Sequence, residues 1–100
     1  MAEYRAVCAE NELLPGNARL VEVDGAAIAV FNVDGQYHAT EDHCLHAGGP
    51  LHEGTLEGAV VTCPWHGWQF DVTDGRCGLH GTNLRCYPVR VHDGVVEVLA

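Results

Sequence analysis

Four Asp-Gly pairs divide this 100-residue chain into short apolar runs rich in Val and Ile. The pairs lie at 24–25, 34–35, 74–75 and 93–94. A tight hairpin turn needs positive φ, which Gly tolerates and Asp partly tolerates, so Asp-Gly between such runs predicts a β-hairpin. We therefore expect an all-β fold of about eight short antiparallel strands, arranged as a small sandwich or partly open barrel.

The predicted strands are the runs RAVCA, ARLVEV, AIAVFNV, YHAT, AVVTC, QFDV, YPVRV and VVEVLA. Several of them alternate: Val21 and Val23 face one way, and Leu20 and Glu22 face the other. Helix is expected to be minor, with one turn over 10–14 that Pro15-Gly16 ends.

Charge and cysteine content limit the function. The chain has five arginines, no lysine and a formal net charge of −9. This charge argues against binding to nucleic acid or an anionic membrane, because both require a basic surface. It suits docking onto a basic partner surface. No apolar run resembles a signal peptide or approaches the ~20 residues of a membrane span. The five cysteines, an odd number, then favour a reducing cytoplasm and metal binding over a disulfide framework. We expect one domain over residues 1–100.

Two short segments carry the candidate chemistry: Cys44-x-His46 and Cys63-x-x-His66. The first lies in a Gly- and Pro-containing segment, 43–58, that is expected to be loop. The second follows the run AVVT and precedes QFDV, so it is expected to be a loop between two strands. Two loops at one end of a β scaffold can converge on one site.

Two cysteines and two histidines could bind one zinc ion, although zinc fingers usually group Cys with Cys and His with His. Here each loop supplies one of each. That arrangement suits a [2Fe–2S] cluster in which one iron takes both thiolates and the other takes both imidazoles. Such a site has no open coordination position, and the sequence shows no nucleophile–base pair, so the expected function is electron transfer, with no catalytic residues.

Residues 37–77, which contain both motifs with Pro64 and Gly67, resemble the cluster-binding region of the Rieske family. The chain is similar to the soluble Rieske-type ferredoxins of bacterial aromatic-ring dioxygenase systems, and 87–98 resemble their closing hairpin. The resemblance implies a Rieske-like β fold and one [2Fe–2S] cluster, with Cys44 and Cys63 on one iron and His46 and His66 on the other. It implies a one-electron carrier in aromatic hydrocarbon catabolism. Its partners would be an NAD(P)H-dependent flavoprotein reductase and a terminal oxygenase, each docking transiently to a monomer at the cluster end.

The chain departs from high-potential Rieske proteins at four positions. Gly49 and Trp65 occupy the positions of their disulfide, and Trp68 and Phe70 occupy those of a Ser and a Tyr that donate hydrogen bonds to sulfur. Fewer such bonds predict a potential near the low end of the Rieske range, on the order of −150 mV. A third loop, 78–85, would cover the cluster, and it lacks the proline that is common there.

Two other functions stay open at this point: a small subunit of a nitrite-reductase-like complex and a structural zinc-binding interaction module. Residues outside the motifs are expected to be mainly structural or solvated. The remaining cysteines are expected in the core or at an edge, and the other histidines and the acidic set on a solvated surface, with partner docking as a second role for the acidic set. At least one tryptophan is expected to shield the cluster or to line a docking rim. These residues are Cys8, Cys77 and Cys86; His38, His43, His52 and His92; Glu41, Asp42, Glu53 and Glu57; and Trp65 and Trp68.

Overall fold

The computed structural model describes residues 3–43, 49–65, 67–77 and 83–100. In these residues the chain forms ten strands and two short 3₁₀ helices. The strands are β1 (Tyr4–Ala9), β2 (Ala18–Val23), β3 (Ala26–Val33), β4 (Gln36–Glu41), β5 (Thr55–Glu57), β6 (Val60–Thr62), β7 (Gln69–Asp71), β8 (Cys86–Tyr87), β9 (Val89–His92) and β10 (Val95–Leu99). The 3₁₀ helices are Glu10–Glu12 and Leu51–Glu53.

The strands form three antiparallel sheets, with orders β1-β10-β9, β2-β3-β4-β8 and β5-β6-β7. The predicted all-β antiparallel fold is confirmed, and its sheets do not close into one barrel. No helix in the described ranges is long and apolar enough to cross a membrane.

Strand β3 is buried on both faces, and this organises the core. Its odd-numbered residues Ala29 and Phe31 belong to a cluster with side chains of β6, β7 and the loops beyond them. Its even-numbered residues Ile28 and Val30 belong to a second cluster, with side chains of β1, β2 and β10. Because successive side chains of a strand point to opposite faces, β3 separates two cores, and its sequence is apolar without interruption from residue 26 to residue 31.

Three of the four Asp-Gly pairs form the predicted hairpin turns. Asp24, Asp34 and Asp93 each have φ of 51°, and the following glycines also have positive φ, as a two-residue primed turn requires. The prediction is wrong at 74–75. Gly75 is buried there, and its N–H donates to the Asp71 carbonyl at 2.7 Å, in a turn that leads toward the third loop.

The strand count also differs from the expected eight. Segment 43–58 is not all loop, because it contains the second 3₁₀ helix and the three-residue strand β5. The run YPVRV is divided at Pro88: β8 pairs with β4, whereas β9 pairs with β10. Proline has no N–H to donate to a ladder, so it suits the point where the chain passes from one sheet to another.

Candidate metal centre

The second motif lies in a tight loop between β6 and β7. Thr62 pairs with Gln69 at the base of the loop, and the Cys63 N–H donates to the Trp68 carbonyl at 2.7 Å. Gly67 has φ of 73°, in the left-handed region that favours glycine. The loop therefore begins and ends at hydrogen-bonded positions, which fixes the backbone of Cys63.

The Cys63 side chain points into the core, where only 1% of the residue is exposed. The backbone N–H of Trp65 donates to its sulfur at 3.4 Å. A backbone donor of this kind stabilises negative charge on sulfur, which is the form that binds metal. The predicted ligand His66 lies outside the described residues.

The first loop reaches the second at Gly49, which is buried. A Cβ built on Gly49 would lie 3.0 Å from the Cys63 sulfur and 3.0 Å from Cγ of Trp65. The two loops thus converge, as the sequence predicts. The contact also brings together positions 49 and 65, where the high-potential proteins have their disulfide. Cys44 and His46, five and three positions earlier in the same loop, lie outside the described residues.

The base of the first loop is closed by two side chains that the sequence predicts to be solvated. Asp42 has only 4% of its side chain exposed, and its Oδ1 accepts the backbone N–H of His52 at 2.7 Å. Its Oδ2 lies 2.6 Å from Nδ1 of His52, whose side chain is 23% exposed. The expectation of solvated side chains is wrong for both. Ten positions separate them, and no local pattern in the sequence predicts the contact.

The base of the third loop packs beside β4. Arg76 bridges to Asn83, and the Leu84 N–H donates to the Gly75 carbonyl at 2.7 Å. The Arg85 N–H then donates to Oε2 of Glu41 at 2.6 Å, so Glu41 is engaged by the backbone of this loop. Residues 78–82 of the predicted loop 78–85, including His80, lie outside the described residues.

The acidic set does not gather at one place. Glu53 and Glu57 are exposed. Glu57 pairs with Val60 at the end of β6 that is remote from Cys63, whereas Glu53 immediately precedes Gly54, whose Cβ would meet the Thr62 carbonyl. Of these two residues, Glu53 is therefore the one whose backbone lies nearer to the loop that begins at Cys63.

The tryptophans have different surroundings. Trp65 is 50% exposed beside Cys63, which fits the expected shielding or rim position. Trp68 is half-buried and packs against the core cluster that contains Cys63. Phe70 is fully buried and has no hydroxyl to donate to sulfur, which is the reason for the predicted low potential. The potential itself stays a prediction.

The three cysteines outside the motifs occupy core and edge positions, as expected. Cys8 and Cys77 are buried and Cys86 is exposed. Although the residue is exposed overall, partial burial of the Cys86 sulfur raises the pKa of its thiol, and the carboxylates of Asp74, Glu41 and Asp71 raise it further. Burial also raises the pKa of the Cys8 thiol. A raised pKa favours the neutral thiol, whereas a metal ligand must be a thiolate, so neither side chain is suited to bind metal. Within the described ranges no three Cys, His, Asp or Glu side chains form a further metal-binding group.

The described part of the centre fits an iron–sulfur cluster. A buried cysteine sulfur receives a backbone N–H, and it faces a glycine at which any side chain would fill the space between the two loops. Thiolate and imidazole donors are also the ligand types that such clusters use. The assignment of all four ligands stays a prediction, because three of them are not described.

Comparison with known proteins agrees with this chemistry. Residues 3–88 match the Rieske [2Fe-2S] domain family. Ferredoxin CarAc of Metapseudomonas resinovorans is 49% identical over 95 residues, which cover 92% of this chain and 89% of that protein. The ferredoxin component of the naphthalene 1,2-dioxygenase system of Pseudomonas putida is 33% identical over 85 residues, covering 83% of this chain and 82% of that protein.

Among solved structures, one similar chain belongs to the complex of reduced oxygenase and oxidized ferredoxin in carbazole 1,9a-dioxygenase. It is 39% identical with a TM-score of 0.89, and the match covers 96% of this chain and 92% of that one. The predicted family, cofactor and role as an electron-transfer component instead of an enzyme are confirmed by these similarities. The chain belongs to the Rieske [2Fe–2S] family, as a ferredoxin of the type found in aromatic-ring dioxygenase systems.

Proposed function

We propose that residues 1–100 form one Rieske domain that carries single electrons from an NAD(P)H-dependent flavoprotein reductase to the terminal oxygenase of an aromatic-ring dioxygenase system. Cys44 and Cys63 would bind one iron of the cluster, and His46 and His66 the other. The observation that carries the ligand assignment is the contact between the loops: Gly49 lies so close to the Cys63 sulfur that a Cβ at position 49 would be 3.0 Å from it. The loop that contains Cys44 and His46 thus reaches the loop that contains Cys63 and His66.

When bound, the cluster supplies a site that accepts and releases one electron. The protein's part is to hold the ligands and to tune the charge around them. Burial of Cys63 keeps water from its sulfur, and the Trp65 N–H offsets negative charge there. Trp65, exposed beside this sulfur, offers an apolar contact to a docking partner. The reaction needs no bound organic substrate, so we assign no catalytic residue.

The proposed partners follow from charge and from the relatives. A formal net charge of −9 favours encounter with a basic docking surface. The carbazole 1,9a-dioxygenase structure contains a ferredoxin in complex with its oxygenase, which supports a terminal oxygenase as the electron acceptor. A carrier that must meet two partners in turn requires small, transient interfaces, and a monomer in the cytoplasm suits that role.

The ligand assignment is tested by comparing Cys63→Ala with Cys77→Ala. Both cysteines are 1% exposed and belong to the same core cluster, so the two substitutions remove equivalent buried sulfurs. Anaerobically purified wild type should contain about two irons and two sulfides per chain and should give a rhombic EPR signal after dithionite. C63A should lose the iron, the sulfide and the signal, and C77A should retain them.

The electron-transfer role is tested on the same wild-type sample. Reduction by a flavoprotein reductase with NAD(P)H, followed by single-turnover oxidation by a terminal oxygenase, should move one electron per chain. About one zinc per chain without sulfide would identify a structural zinc module instead. Stable co-purification with a large reductase subunit would favour the nitrite-reductase-like alternative.

A further inference from the structure

The first loop is closed at its base by a side-chain pair that the electron-transfer role does not itself require. Asp42 immediately follows β4, and His52 lies in the second 3₁₀ helix. The Asp42 carboxylate engages both the backbone N–H of His52, at 2.7 Å, and its ring Nδ1, at 2.6 Å. The segment between them contains Cys44 and His46.

The hydrogen-bonding pattern determines which ring nitrogen carries a proton. A buried carboxylate is stable only when its oxygens are satisfied, and an ionised carboxylate can only accept hydrogen bonds. We therefore assign the ring proton to Nδ1 of His52, as the donor to Oδ2. With 4% of the Asp42 side chain exposed, this charge-assisted bond is shielded from water and is stronger than an exposed pair.

Both ends of the pair are attached to the scaffold. The Asp42 N–H donates to the Ala27 carbonyl of β3 at 3.0 Å, and Leu51, next to His52, is fully buried in the core. The bond between Asp42 and His52 thus links two fixed points of the scaffold across the loop. The sequence of the loop includes Gly48-Gly49, and glycine loses more conformational freedom on ordering than any other residue.

We propose that His52 is a positioning residue: its Nδ1–H, bound to Asp42, holds the first loop in the conformation in which Cys44 and His46 reach the cluster. The inference rests on the ligand assignment proposed above. Groups that orient metal ligands are typically worth tenfold or more in metal affinity, and the Asp42–His52 bond would orient them through the backbone of the loop.

The test compares His52→Ala with His52→Asn. Alanine removes the side-chain donor but keeps the backbone N–H to Asp42. Asparagine places an amide Nδ2–H at about the position of Nδ1, so it can restore the bond. His92→Ala is the matched control, because His92 also faces an aspartate, Asp93, at 3.3 Å, but the two side chains are 68% and 88% exposed.

Cluster loss is followed anaerobically by visible absorbance in the presence of an iron chelator, and each reduced protein is examined by EPR. H52A should lose its cluster about tenfold faster than wild type, with a broadened or shifted EPR signal. H52N and H92A should keep the wild-type rate and signal. Far-UV circular dichroism of each protein during urea unfolding separates these local effects from a general loss of stability.

Three results would overturn the inference. In the first, H52A keeps its cluster as long as wild type does. In the second, H52N loses it as fast as H52A, which would mean that the imidazole acts through packing and not through its donor. In both cases a wild type with about two irons and two sulfides leaves the proposed function intact. In the third, the wild-type protein itself contains no iron and no sulfide, which would overturn the proposed function as well.

Discussion

Gly49 matters because it has no side chain. Its φ is not in the positive range, so conformational freedom is not what the position requires. It requires close approach: any Cβ would press on the Cys63 sulfur and on the Trp65 ring. Cys63 is held in the core, whereas Trp65 is half-exposed.

Gly49→Ala should therefore destabilise the protein by about 1–3 kcal/mol, the usual cost of overpacking a well-filled site. It should also speed loss of the cluster, because the methyl group displaces Cys63 or the first loop. Urea unfolding and chelator-driven cluster loss measure the two effects.

The double variant G49A/W65A is the control for this explanation. Removing the indole clears the contacts at Cγ and Cδ2 and leaves the one with the sulfur. The cost of the alanine should then be smaller than in the wild-type background, in a double-mutant cycle. An equal cost in both backgrounds would show that contact with Trp65 is not responsible.

At the residue scale, the sequence predicts the elements of the site that are local in the chain. The Cys-x-His and Cys-x-x-His spacings indicate a loop pair, and the convergence at Gly49 confirms that the loops meet. The Asp42–His52 pair could not be predicted in this way. Its partners are ten positions apart, and they meet only because β4 and the second 3₁₀ helix bring both ends of the loop together.

At the scale of elements, local turn chemistry predicts a hairpin only where the flanking strands pair directly. This holds at 24–25, 34–35 and 93–94, where the strands on either side are hydrogen-bonded neighbours. At 74–75 the residues on either side do not continue as paired strands. Instead, the Leu84 carbonyl oxygen approaches Gly75 so closely that it leaves no room for a Cβ. Strand β5, with three residues, is too short for a periodic pattern to reveal it.

The turn after β7 has a titratable group at its start. The Asp71 carboxylate accepts hydrogen bonds from the hydroxyl and the backbone N–H of Thr73, and these bonds lower the pKa of Asp71 below its ordinary value. Burial opposes the shift, whereas His38 and Arg76 add to it. A carboxyl with a lowered folded-state pKa stabilises the fold above its unfolded pKa, and that stabilisation disappears as pH falls through the folded value.

Thr73→Ala should consequently be less stable than wild type at pH 7, and the difference should shrink as the pH falls below the ordinary aspartate pKa of about 4 and through the lowered folded-state pKa of Asp71. Urea unfolding at a series of pH values measures this difference. Thr73→Ser keeps the hydroxyl donor and should follow the wild type. A difference between T73A and wild type that stays constant with pH would exclude the carboxylate as its cause.

At the scale of the whole molecule, β3 explains why the strand pattern predicts the fold class well and the layer arrangement less well. A run such as AIAVFNV shows that both faces are buried, but not which other strands cover them. Those partners include β1 and β10, from the two ends of the sequence, on one face and β6 and β7, from its middle, on the other. Non-local pairing of this kind leaves no signature in a single sequence.

The charge of the whole molecule leads to a prediction about encounter with a basic partner. Electrostatic steering raises association rates and weakens with salt, and the Debye length is about 10 Å at 0.1 M ionic strength. Only charges within that distance of the docking site then act strongly. Glu57 lies beside Val60, about 10 Å along β6 from Cys63, whereas Glu53 lies beside the cluster loops.

Stopped-flow oxidation of the reduced protein by cytochrome c, a basic one-electron acceptor, should therefore slow as salt rises through about 0.1 M. Glu53→Gln and Glu57→Gln change the net charge equally, from −9 to −8. E53Q should lower the rate and flatten its salt dependence more than E57Q, because residue 53 lies nearer to the loop that contains Cys63. Equal effects of the two substitutions would mean that the net charge governs encounter. A rate independent of salt would mean that the acidic surface has no part in docking, and that apolar contact at Trp65 is the interaction to examine.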